Sequence, residues 1–219
     1  GISDFTKIQN YGYYYVDKTG LIADLLEKET AEVTLITRPR RFGKTMGMSM
    51  LANFFDIRKD SQAMFEGLEI SKNEALCSEW MNQWPVLFVS FKDIDGLTFA
   101  SAKGMLLERL ANLFKAHRYL TLSERIDPDD AKIFKKLSDL VNGHPTDAML
   151  KTAISLLMQM MRDHYGKPVI LLIDEYDVPL EYAYFNGISD EMDGVIRAIF
   201  ALTLKANQYL EKCVITGCF

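Results

Sequence analysis

The sequence predicts an α/β fold in which a mostly parallel sheet is flanked by helices. Three observations carry that expectation. The β-branched run Val33–Ile36 passes through a short loop straight into an apolar stretch at helical spacing, Met46, Met50, Leu51, Phe54 and Phe55. A second run, Val169-Ile-Leu-Leu-Ile173, has no polar face, the pattern of a strand buried on both sides. Around these runs, helical stripes alternate with short β-rich segments, as crossovers between parallel strands require.

The chain of 219 residues is expected to form a single domain over residues 1–219. With 48% hydrophobic and 25% charged residues it has an ordinary globular composition. The net charge of −5 argues against a broadly basic nucleic-acid-binding face. Cys77, Cys213 and Cys218 show no pairing or metal-ligand spacing, which suits a reducing cytoplasm, and His117, His144 and His164 are scattered. No apolar run approaches the roughly 20 residues of a membrane span, and no signal peptide opens the chain. A cytoplasmic protein without a membrane partner is expected.

Ile2–Thr19 is aromatic-rich, with Phe5, Tyr11 and the run Tyr13-Tyr14-Tyr15. These tyrosines suit either packing against a nucleotide base or packing in a core or interface. Asp17 or Thr19 caps a helix carrying Leu21, Ile22, Leu25 and Leu26. Next comes the first strand and then Arg38-Pro-Arg-Arg-Phe-Gly-Lys-Thr45. Strand, loop ending Gly-Lys-Thr and helix is the context in which a phosphate-loop pattern is informative. Loop amides and the helix N-terminus point at an anion there. Lys44 is placed to reach the β- and γ-phosphates, and the Thr45 hydroxyl to ligate Mg²⁺. Arg38 stands where the usual pattern opens with glycine, so a somewhat different loop path is expected.

A short helix is expected near Glu74–Met81, then a buried strand over Val86–Phe91. Asp93-Ile-Asp-Gly96 matches a GTPase-like string, but the guanine-reading Asn-Lys-x-Asp string is absent, and the segment reads as a turn. Thr98 caps a long helix carrying Phe99, Leu106, Leu110, Leu113, Phe114 and His117 at helical spacing. Asp127-Pro128 starts another, with Phe134, Leu137, Leu140 and Val141 inward and Asn142-Gly143 as its stop. A third runs from about Thr146 to Tyr165, with Gly166 as its C-terminal cap.

The buried strand at Val169 ends in Asp174-Glu175. Open parallel sheets bind ligands at the carboxyl ends of their strands. An Asp there holds Mg²⁺, usually through water, and the adjoining Glu175 is placed to polarise a water for attack on the γ-phosphate. Asp177 and Glu181 read either as partners of the metal or loop arginines or as exposed turn charges. A helix over about Ser189–Glu211 follows, with Leu210 inward, and then a strand over Cys213–Gly217. Thr216 at its tip suits either a γ-phosphate or water sensor or a plain strand-end turn.

Tyr14-Tyr-Val-Asp-Lys-Thr19, the loop Arg38–Thr45, Ile173-Asp-Glu-Tyr-Asp-Val-Pro-Leu180 and Ile215-Thr-Gly217 together resemble the prokaryotic AAA-ATPase-like family. The resemblance runs from about Phe5 to the last residue, and the arginine-rich loop is that family's usual form. Gly47 departs from it, since the family tends to carry a larger residue there. The resemblance implies a P-loop NTPase of the additional-strand type, with the strand Cys213–Thr216 between Val33–Thr37 and Val169–Ile173. It also implies an N-terminal fragment of a longer protein, truncated after strand four, with an unpaired edge on the first strand. A restriction-endonuclease-like nuclease domain commonly lies downstream in that family.

The expected function is Mg²⁺-dependent ATP hydrolysis coupled to a downstream, nuclease-like effector. Lys44, Glu175 and Thr216 are the catalytic candidates, and Thr45 and Asp174 the metal ligands. Arg40, Arg41, Phe42, Gly43, Lys44, Thr45 and Met46 form the nucleotide cradle. Arg40 or Arg41 adds charge compensation, and Arg197 is the in-chain candidate for an arginine finger. The alternatives are a nucleotide-gated switch or scaffold with little turnover, and a small-molecule kinase sharing the loop. A homo-oligomer and a nucleic-acid target are compatible with the sequence, which supplies no direct support for either.

Overall fold

A computed structural model describes residues 4–27, 32–39, 43–140, 142–205 and 207–218. They contain a four-stranded parallel sheet in the order β1-β4-β3-β2, formed by β1 (Val33–Thr37), β2 (Val86–Ser90), β3 (Val169–Asp174) and β4 (Leu210–Gly217). β4 pairs in parallel with β1, with Val33 opposite Cys213 and Thr37 opposite Gly217. It therefore lies between β1 and β3, as expected. Because the strands are parallel, their carboxyl ends share one edge of the sheet.

The chain forms two compact units. The first takes in residues 1–88, 169–174 and 211–219. Its helices are α1 (Phe5–Tyr11), α2 (Gly20–Glu27), α3 (Lys44–Phe55), α4 (Gln62–Phe65) and α5 (Glu74–Trp80), with a 3-10 turn at Glu69–Lys72. α3 turns Met50, Leu51, Phe54 and Phe55 into a core shared with Phe5, Phe65, Ile170, Leu172 and Val214. Burying each large apolar side chain stabilises by about 1.5–3 kcal/mol, so this core holds the helix after the loop firmly on the sheet. α1 had no counterpart in the sequence reading; Asp4 caps its start by accepting from the Thr6 amide, and Gly12 ends it at φ 62°.

The second unit takes in residues 89–168 and 175–210. It holds α6 (Phe99–Ala116), α7 (Pro128–Ser138), α8 (Asp147–Tyr165), α9 (Val178–Phe185) and α10 (Ser189–Leu204), with a 3-10 turn at Arg118–Leu122. Thr98 and Ser101 form the capping box of α6, and Gly166 closes α8 in the left-handed region. Asp93 lies in a turn at φ 63°, in keeping with reading Asp93–Gly96 as a turn. A Cβ on Gly96 would meet the Ala102 amide at 2.2 Å, so that turn requires glycine.

Three boundaries differ from expectation. α7 stops at Ser138, because the Asp139 carboxylate accepts from the Asn142 amide and side chain while Gly143 donates to the Asp139 backbone carbonyl. α10 stops at Leu204 and β4 begins at Leu210, so Leu210 belongs to the strand. The buried Asn207 explains this: its amide donates to the Thr203 carbonyl and its side-chain oxygen accepts from the Tyr209 amide, turning the chain. α9 lies where only turn charges or site carboxylates were anticipated, with Pro179 in its first turn. Among the described residues no helix is long and apolar enough to cross a membrane.

Candidate functional site

At the carboxyl edge of the sheet β1 delivers its chain into the basic loop. Gly43 adopts φ 79°, a left-handed conformation that costs any other L-residue on the order of 1–2 kcal/mol, and serves as the N-cap of α3. The first amides of that helix have no intrahelical acceptor and face outward from its positive end. Lys44 Nζ donates to the Arg38 carbonyl at 2.5 Å and the Pro39 carbonyl at 3.0 Å, and lies 3.3 Å from Cys218 Sγ. The lysine thus spans the loop and reaches the segment after β4.

These residues open onto a cavity of about 890 Å³, within the range of small-molecule sites. Among the described residues its charged lining residues are Lys18, Arg38 and Lys44, with no carboxylate among them. In a chain of net charge −5, three cations around one cavity give it the chemistry to attract an anion. Met46, Gly47 and Thr216 also line it. A Cβ on Gly47 would meet nothing within 4 Å among the described residues. Leu35, Val16 and Tyr14 supply an exposed apolar wall. Tyr15 turns inward instead, edge-on to Phe5 at 5.5 Å, with its hydroxyl donating to Met50 Sδ. Of the tyrosines, Tyr15 packs in the core, and Tyr14 is exposed at the cavity wall.

The acidic half of the site is buried. Asp174 at the end of β3 is fully enclosed, and its Oδ1 accepts a 2.5 Å hydrogen bond from the Thr216 hydroxyl at the tip of β4. Its Oδ2 is buried with no hydrogen-bond partner among the described residues. Since buried polar atoms are nearly always satisfied, an orphaned carboxylate oxygen marks a place for a cation or a metal-bound water. Thr216 both holds this carboxylate and lines the cavity that contains Lys44. The threonine is therefore the link between the two halves.

Thr45 is half-buried in the first turn of α3. Arg40, Arg41 and Phe42 lie outside the described residues. Glu175 directly follows Asp174 and belongs to the second unit. Its backbone sits at φ 54° and its carbonyl accepts from the Val178 amide, a tight turn that leads into α9. A non-glycine residue in that region stores strain, a feature that clusters at functional positions. Asp177 is buried at the start of α9 rather than exposed. Arg197 is largely exposed on α10 and pairs with Asp193 at 2.5 Å one turn away.

Sequence reasoning omitted Lys18 from the site. The signal available to it was the Asp17-Lys18-Thr19 string, but only the fold brings that string beside the loop.

No solved structure matches the chain. It is 25% identical over 219 residues to an uncharacterised protein encoded in the vnfD 5′ region of Azotobacter chroococcum mcd 1. That match covers 99% of this chain and 36% of the relative, so the chain spans little more than a third of its length. The model of a family described as predicted AAA-ATPase matches residues 1–219. That match covers the whole length, and the chain belongs to the predicted AAA-ATPase family.

Proposed function

We propose that this domain binds ATP with Mg²⁺ and hydrolyses it, passing the resulting change to an effector elsewhere in a longer protein. The observation that carries this reading is the cation-lined cavity at the N-terminus of α3, joined through Thr216 to a buried acid with an unmatched oxygen. Amides from Arg41 to Thr45 cradle the β-phosphate. Lys44 leaves the Arg38 and Pro39 carbonyls for the β- and γ-phosphates, stabilising the charge that develops on transfer. Tyr14, Val16 and Leu35 offer the apolar wall for the base.

Thr45 and Asp174 fit a magnesium ion that arrives with the phosphates. Magnesium is commonly held by one or two protein oxygens plus water and phosphate rather than by an all-protein cage. When bound, it neutralises phosphate charge and polarises the transferred group. Asp174 Oδ2 supplies the oxygen for it, directly or through water, while Oδ1 stays committed to Thr216. Glu175 orients and deprotonates the attacking water. The effector is a nuclease-like domain downstream, and the strained turn at Glu175, which leads into α9, is the route by which the site reports to the rest of the chain.

Steady-state phosphate release and binding of a fluorescent ATP analogue test this together. Glu175→Gln is expected to lower turnover at least 100-fold, the scale of a general-base contribution, while nucleotide affinity changes less than threefold. Equal turnover in the variant removes Glu175 from the role. Tight binding with negligible turnover in the wild type itself would instead favour a nucleotide-gated switch.

A further inference from the structure

Asp17-Lys18-Thr19 is built as a bracket: its two flanking side chains are anchored, while among the described residues the Lys18 side chain has no hydrogen-bond or ion-pair partner. Asp17 Oδ1 accepts from the Thr19 amide at 2.9 Å and the Thr19 hydroxyl at 2.7 Å, and Oδ2 accepts from the Glu69 amide at 2.7 Å. Thr19 is fully buried, and its hydroxyl oxygen accepts from the Ile70 amide at 3.1 Å. The Tyr15 hydroxyl accepts from the Lys18 amide at 3.3 Å while donating to Met50 on α3. Burial pushes the Tyr15 phenol above its ordinary range, with Asp17 adding to this and the Lys18 amide opposing it. The hydroxyl therefore keeps the proton it donates.

Three hydrogen bonds thus tie the segment around Lys18 to its neighbours, Asp17 and Thr19 to the 3-10 turn at Glu69–Lys72 and Tyr15 to α3. The side chain they present ends at the phosphate loop: Lys18 Nζ lies 3.9 Å from where a Cβ on Gly43 would sit. It lines the same cavity as Arg38 and Lys44, where no described residue supplies a carboxylate to neutralise it. Among the described residues its ammonium has no ion-pair partner. A lysine held by its own backbone, aimed at the glycine that caps α3 and left without a counter-ion, has an anion as its natural partner.

We propose that Lys18 is a second phosphate-binding lysine, contacting the phosphate cradled at Gly43. The assignment rests on the nucleotide-binding reading above. Because Gly43 belongs to the β-phosphate cradle, Lys18 serves ATP and ADP alike, whereas a γ-phosphate contact would favour ATP alone. Asp17 and Thr19 act through it as positioning residues.

Binding of fluorescent ATP and ADP analogues with MgCl₂ tests the proposal in wild type, Lys18→Ala, Lys18→Arg and Lys44→Ala, alongside nucleotide-free melting. Lys18→Ala is expected to weaken both nucleotides about tenfold, the scale of one charge-assisted hydrogen bond, with unchanged melting and recovery of most of the affinity in Lys18→Arg. Unchanged affinity in Lys18→Ala, while Lys44→Ala loses binding, overturns the role of Lys18 and leaves the nucleotide site standing. Loss for ATP but not ADP overturns the β-phosphate assignment. A lowered melting temperature that Lys18→Arg does not restore overturns the proposal in favour of a packing role. A wild type that binds neither nucleotide removes the nucleotide reading and the proposal with it.

Discussion

β1 and β3 end at the same edge of one sheet, yet they are built oppositely. Every residue of β3 is buried, and its terminal acid is locked to Thr216 before any ligand arrives. In β1 no position is fully buried; Val33 and Leu35 are exposed, and among the described residues nothing pairs with its outer side. The loop after β1 relies on a left-handed glycine and on lysine bonds to its own carbonyls. The two halves of the site are thus prepared by different physics. Burial fixes the acid where a charge is expensive, whereas backbone conformation holds the cations of the loop.

The contrast is broken most directly at Asp174. Asp174→Asn keeps an oxygen for Thr216 but removes the buried charge. Mg²⁺ affinity in the presence of ATP is expected to fall on the order of 10–100-fold, read by Mn²⁺ competition in a paramagnetic-resonance titration. Without nucleotide the variant is expected to melt no lower than wild type, because an unmatched buried carboxylate costs folding free energy. A clear drop in melting temperature with unchanged metal affinity would make Asp174 a structural anchor.

The opposite end is tested at Gly43. Alanine there has space, with Met46 Cε at 3.8 Å and Lys18 Nζ at 3.9 Å from the added carbon. Its cost is therefore conformational, about 1–2 kcal/mol, and a chain of this length should melt roughly 2–8 °C lower. Nucleotide binding should weaken as well, since the residue that caps α3 also shapes the cradle. A Gly43→Ala protein that melts like wild type would show that the left-handed turn is not what holds the loop.

The same contrast explains what the sequence could disclose. β3, the apolar face of α3 and the capped helices α6 and α8 were legible because apolar spacing and cap chemistry are local signals. α1 was not, since its run of aromatics hid an ordinary helix whose only marks were Asp4 and Gly12. α9 was missed for a related reason: with Tyr182, Tyr184 and Phe185 exposed beside buried Val178 and Ala183, its apolar residues circle the axis. The end of α10 was misplaced because Leu210 keeps helical spacing, and only the tertiary burial of Asn207 turns the chain before it. Asp174 could be named from the strand that carries it. Its link to Thr216 and the approach of Lys18 to Gly43 join residues 42 and 25 positions apart, and no local pattern encodes such pairings.

The smallest expected effect lies in the bracket beneath Lys18, and its sign follows from Asp17. Partial burial alone would raise this carboxyl, but hydrogen bonds from the Thr19 amide, the Glu69 amide and the Thr19 hydroxyl, helped by Lys72, outweigh it and hold the carboxyl below the ordinary 3.8. A group depressed in the folded state stabilises fully above its unfolded value, and that contribution is lost as pH falls below 3.8 through the folded value. Asp17→Asn should therefore lower the melting temperature slightly at pH 7 and flatten the acid limb of its pH profile below pH 3.8. Because the carboxylate is exposed, the loss is a fraction of what a buried group would give. The bracket's second role gives a second readout: at pH 7 the same variant should weaken ATP, by less than Lys18→Ala does. An acid limb identical to wild type would mean that the bracket hydrogen bonds add nothing to folding and that Thr19 alone anchors the segment.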